Sequence, residues 1–168
     1  MHPIEVFSRT STKSTIILTV MFNLLMAWLP NSSMQSINLI SGNNIILDTI
    51  ITCIAMTTIG TVCNTYFLRQ AYNKNMPLTG YNYSPNLLLK HLPNKSWLWG
   101  LVLGLGFACI ITPIGALIFI LLNMYSISFW IFIIFKTIYT IIVTTIFPPL
   151  VIKHQAWVLI NGTQKGEV

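Results

Sequence analysis

Four apolar runs, 14–30, 45–68, 97–124 and 128–152, constrain this chain more than any other feature. The hydrocarbon core of a bilayer is about 30 Å thick, and a helix rising about 1.5 Å per residue crosses it in about 20 residues. The first run is a little short of that length, and the other three meet it. Backbone N–H and C=O groups find no partners in lipid, so such runs can cross only as helices that satisfy their own hydrogen bonds. The runs therefore predict an all-α integral membrane protein, a four-transmembrane-helix bundle that forms one membrane domain over 1–168. The balance of residues agrees. Charged residues make up 7% of the chain and hydrophobic ones 54%. A soluble domain carries about a quarter charged residues, so these are too few to cover a water-exposed surface.

The charges that exist sit mainly between the runs. Arg9 and Lys13 precede the first run, and the link 31–44 carries no charge. The loop 69–96 carries Arg69, Lys74, Lys90 and Lys95. The short link around Tyr125 again carries none, and Lys153 and Lys165 follow the fourth run. Basic and uncharged links alternate, which by the positive-inside rule places both termini and the loop 69–96 in the cytoplasm. The net charge of +6 then reads as a tendency to meet anionic headgroups, above all at the basic cytoplasmic loop, and not as a nucleic-acid footprint. Within that loop, Leu87, Leu88, Leu89 and Leu92 alternate with Lys90, His91 and Lys95. Pro85 and Pro93 limit any helix there to about two turns. The stretch suits an interfacial segment, with Trp97 and Trp99 in an aromatic belt, or an ordinary basic loop.

A short internal similarity raises a second level of organisation. Asp48-Thr49-Ile50-Ile51-Thr52-Cys53-Ile54 matches Lys136-Thr137-Ile138-Tyr139-Thr140-Ile141-Ile142 at four of seven positions, and Gln70-Ala71-Tyr72 resembles Gln155-Ala156-Trp157. If this reflects a duplication, the bundle is two tandem helical hairpins in the same orientation, related about an axis along the membrane normal. Chance similarity among abundant Ile and Thr is the rival reading.

Two charged residues interrupt the apolar runs, Asp48 and Lys136. Each follows shortly after its helix enters from the uncharged side, so the carboxylate and the ammonium can meet. Asn23 lies at a similar depth on the first helix, and Tyr139 continues the Lys136 face. A charge inside a membrane marks a candidate functional site. Asn23, Asp48, Lys136 and Tyr139 are accordingly the candidate intramembrane polar site. Three readings stay open for it: an ion pair that fixes helix packing, a solute or ion site, and a Lys that reaches toward the interface without a partner. On the third run, Gly100, Gly104 and Ala108 recur every four residues, a spacing that lets two helix backbones approach closely. Pro113 and Gly115 predict a kink there, and Pro148-Pro149 predict a loosened inner end of the fourth helix.

Chemistry has few footholds. Cys53, Cys63 and Cys109 all lie inside apolar runs, where a packing role is expected and neither a disulfide framework nor a metal cluster is indicated. No phosphate-binding glycine loop, HExxH, GxSxG or CxxC motif occurs. The sequence thus predicts no cofactor, no metal and no catalytic residue. The expected partners are the lipid bilayer and either a second copy of the chain or another membrane protein, with no nucleic acid. Two functions remain: a non-catalytic accessory, assembly or regulatory membrane component, and a small-solute or ion transporter or channel whose site is centred on Asp48 and Lys136.

Overall fold

The computed structural model describes residues 3–31, 36–40, 44–74 and 95–164. Four helices carry nearly all of it: α1 (Pro3–Asn31), α2 (Ile45–Asn73), α3 (Ser96–Leu121) and α4 (Phe129–Gln164). All four are long and apolar enough to cross a membrane. Each extends beyond or closely matches the apolar run that predicts it. The amphipathic segment around Leu87–Leu92 lies outside the described residues.

Local chemistry sets the helix ends. Asn44 caps α2: its side-chain oxygen accepts from the Leu47 N–H at 2.6 Å, which satisfies one of the donors a helix start leaves open. At the other end of α3 the chain closes a Schellman motif. The Asn123 N–H donates to the Ile120 carbonyl at 2.9 Å and the Met124 N–H to the Phe119 carbonyl at 2.8 Å. Asn123 takes the left-handed conformation this turn needs, at φ 54°, a role Asn fills more readily than most residues. The third span therefore stops at Leu121 and not at 124.

Pro148 and Pro149 do not end α4, which continues through them to Gln164. Each proline removes one helix hydrogen bond, yet the flanking Phe147, Val151 and Ile152 are completely buried. Tertiary packing holds the turn that local propensity would release. Pro113 likewise lies within an unbroken α3.

The links at the uncharged end are not plain loops. Ser36–Asn38 forms a strand, β1, and Ser126–Ser128 a second, β2, so the fold is not purely helical. They pair antiparallel, with Ser36 opposite Ser128, Ile37 opposite Ile127 and Asn38 opposite Ser126. The Leu39 N–H extends the ribbon by donating to the Tyr125 carbonyl at 2.9 Å. Alternation drives the pairing: Ile37 and Ile127 turn inward while the polar residues on either side face out. The two isoleucines close a cluster with Ala27, Leu39, Ile45, Phe119, Phe129 and Phe132, which caps this end of the bundle.

Neither predicted hairpin packs as a unit. α2 packs most extensively on α3, α1 on α4, and α2 also on α4, whereas α1 meets α2, and α3 meets α4, at few points. The glycines of α3 explain the closest of these contacts. A Cβ on Gly100 would stand 2.6 Å from the Thr58 Cα, and one on Gly104 would stand 2.7 Å from the Ile54 Cα. Exchanging α1 with α3 and α2 with α4 maps these helix neighbours onto themselves, although both strands pack on α4. The chain is thus interleaved about a central α2–α4 contact.

Candidate functional site

Asp48 stands in the first turn of α2 and Lys136 two turns into α4. The α2–α4 contact brings them together: the Lys136 Nζ donates to the Asp48 Oδ1 at 2.7 Å. The environment is asymmetric. The Lys136 side chain is 3% exposed, and the Asp48 side chain is 31% exposed. The ammonium also sits 5.5 Å from the centroid of the Phe132 ring, within the range of a cation–π attraction. Asp48 therefore offsets a charge that is otherwise shut away from solvent. Its second oxygen, Oδ2, is buried and accepts no hydrogen bond among the described residues.

Tyr139 is one turn from Lys136 and is also buried. Its ring meets Phe135 at 5.4 Å between centroids, and its buried hydroxyl finds no hydrogen-bond partner among the described residues. Cys53 and Ala108 complete that small apolar wall. Asn23 is buried as well but does not bond the ion pair. Its Nδ2 donates to the Thr140 Oγ1 at 3.2 Å and to the Met56 Sδ at 3.3 Å. It thereby ties α1 to both α2 and α4, one helical turn further in than Lys136.

The glycine stripe acts between helices of the same chain. Gly100, Gly104 and Ala108 are all buried. The Thr57 hydroxyl, which donates to the Cys53 carbonyl at 2.7 Å, also reaches the Gly100 carbonyl at 3.1 Å. Without a side chain at 100 and 104, the α3 backbone lies against α2 and accepts a hydrogen bond from it.

A second group of polar residues lies at the opposite end, where few marks in the sequence point to it. The Trp99 Nε1 donates to the His154 Nδ1, with the rings edge to face at 4.9 Å. Trp99 is therefore buried and not part of an aromatic belt, whereas Trp97 is exposed. The Ser11 hydroxyl donates to the Asn64 Oδ1, and the Asn64 Nδ2 donates to the Gly60 carbonyl at 2.8 Å. Gln155, next to His154 in the chain, is buried too, and its Nε2 finds no partner among the described residues. Between the two ends, Thr49, Thr57, Thr61, Thr65, Thr140 and Thr144 are buried on α2 and α4. Several bond the carbonyl four residues back, as Thr49 does to Ile45 at 2.7 Å and Thr144 to Thr140 at 2.6 Å. Such self-bonding lets a threonine lie in an apolar interior at little cost. The one signal for this interior was the recurrence of Thr on α2 and α4.

No protein-family model, no curated protein and no solved structure matches this chain.

Proposed function

We propose that the chain is a multi-pass integral membrane protein with both termini cytoplasmic, acting as a non-catalytic accessory, assembly or regulatory component. The outward faces support the membrane assignment. Ile17, Leu18, Met21, Phe22, Leu25 and Leu29 on α1, and similar residues on the other helices, are exposed, an apolar area far larger than soluble monomers tolerate. The alternation of basic and uncharged links supports the orientation.

The observation that carries the non-catalytic reading is the mutual pairing of polar side chains between helices. Lys136 is bonded to Asp48, Asn23 to Thr140, Ser11 to Asn64 and Trp99 to His154. Intramembrane polar groups that bond one another fix helix positions, which is what a scaffold needs. One observation favours the second reading, a small-solute or ion transporter. The buried Asp48 Oδ2 has room in its bonding for one more donor, which a water, a proton or a solute could supply.

Reconstitution into sealed vesicles separates the two readings. The scaffold reading expects no ion- or solute-driven flux above that of empty vesicles. It also expects a stoichiometric membrane partner in mild detergent that is retained by the Asp48→Asn/Lys136→Met double variant. Flux through the native protein that Lys136→Met abolishes would overturn it in favour of transport.

A further inference from the structure

We propose that the groove between the first part of α1 and the last part of α4 binds the phosphate headgroup of an anionic phospholipid. The groove has a volume of about 570 Å³, and its lining includes Ile4, Glu5, Arg9, Lys13, Pro149 and Lys153. Three cations and one acid face it, for a local balance of +2 (three positive charges less one). Among the described residues no ion pair joins Arg9, Lys13 or Lys153 to Glu5 or to any other acid.

Two of the groove's three hydroxyls are already engaged. Thr12 donates to the Ser8 carbonyl at 2.7 Å and Thr145 to the Ile141 carbonyl at 2.7 Å. The donors left for a ligand are the guanidinium, the two ammonium groups and the Ser8 hydroxyl, which is the chemistry of phosphate recognition. Ile4 and Pro149 give the groove an apolar side, suited to the glycerol and first acyl carbons of a lipid and of no use to a free ion.

Depth supports a lipid as the occupant. About 20 residues cross the hydrocarbon core. Counted inward from the outer ends of α1 and α4, that length arrives near Thr12 on one helix and near Pro149 on the other. The groove spans both positions, so two independent helices place it at the inner headgroup boundary. Basic pockets between transmembrane helices on the cytoplasmic side are a recognised form of lipid-headgroup site. The proposal rests on the membrane-spanning reading and is independent of whether the protein is a scaffold or a transporter.

The test uses the full chain reconstituted in vesicles of phosphatidylcholine and phosphatidylglycerol in equal amounts, then released in mild detergent for native mass spectrometry. Resistance to alkaline extraction of the vesicles first reports membrane integration on its own. The wild type should retain phosphatidylglycerol in preference to phosphatidylcholine. Arg9→Gln/Lys13→Gln/Lys153→Gln should lower that preference by at least about tenfold, given the attraction of each basic group for an anionic surface. Arg69→Gln/Lys74→Gln/Lys95→Gln removes the same charge from the basic loop 69–96 and should lower the preference clearly less than the groove variant does. Lys153→Gln alone should lower the preference partially, and this single variant serves if the triple variant does not integrate. Equal loss in the groove and control variants, or no preference in the integrated wild type, would overturn the site. Displacement of the retained lipid by inorganic phosphate as readily as by phosphatidylglycerol would overturn the lipid assignment and leave a soluble anion as the ligand.

Discussion

Asp48 and Lys136 show how unequal burial decides what a charge pair does. Lys136 is nearly sealed at 3% exposure, while Asp48 keeps 31%. Deleting the acid strands a buried ammonium, and deleting the base leaves a carboxylate on a side chain that stays partly exposed. Asp48→Asn should therefore destabilise the bundle by about 2–3 kcal/mol, and Lys136→Met by about 1 kcal/mol. The double variant should recover part of the larger loss, because removing both partners leaves no uncompensated charge. A double-mutant cycle by thermal or denaturant unfolding in detergent measures the coupling. Additive losses, or a larger cost for Lys136→Met, would contradict this account of the pair. The pair was legible in the sequence because two charges of opposite sign stood alone within apolar runs. The Trp99–His154 contact was not, since no opposite charges mark the two residues as partners. An aromatic residue near a helix end also suits the membrane interface equally well.

At the scale of the element, α3 carries an internal control. Gly104 faces the α2 backbone, whereas a Cβ on Gly106 would meet nothing within 4 Å. Replacing Gly by Ala in an open helical position stabilises by up to about 1 kcal/mol. Gly106→Ala should thus raise the melting temperature in detergent, and Gly104→Ala should lower it. Gly104→Leu should be worse than Val102→Leu, because Val102 faces outward. Melting shifts of the same sign for the two alanine variants would show that close approach of α2 and α3 does not set this stability. The strands make a separate claim. Ser36→Cys/Ser128→Cys places two thiols opposite each other on the exposed face of the ribbon. Mild oxidation should join them within one chain, seen as a mobility shift that reductant reverses. Failure to join while a Cys pair at Asn38 and Ser126 also stays open would contradict the β1–β2 pairing. These strands escaped the sequence reading for a physical reason. Three residues of alternating polarity, Ser-Ile-Asn or Ser-Ile-Ser, are too short for a period to stand out. The helices were legible because their length against lipid is a much stronger constraint. The end of α4 was not, because a Pro-Pro pair signals termination locally while burial of Phe147, Val151 and Ile152 decides the matter.

For the whole molecule, the neighbour relations are what the sequence could not supply. Helices apolar on every side carry no mark of which partner each face meets, so the packing of α1 on α4 and of α2 on α3 emerged only from the fold. That interleaving ties the first half of the chain to the second at three levels: the strand ribbon, the ion pair, and the Asn23 bridge to Thr140. The central claim is that this bundle crosses a membrane four times with its basic ends inside, and substituted-cysteine labelling tests it most directly. On a background in which Cys53, Cys63 and Cys109 are replaced by Ala, single cysteines are placed at Tyr125, Lys74 and Lys95. The account predicts that a membrane-impermeant maleimide labels position 125 in intact cells and reaches positions 74 and 95 only after permeabilisation. Labelling of 74 or 95 in intact cells, with 125 protected, would contradict it.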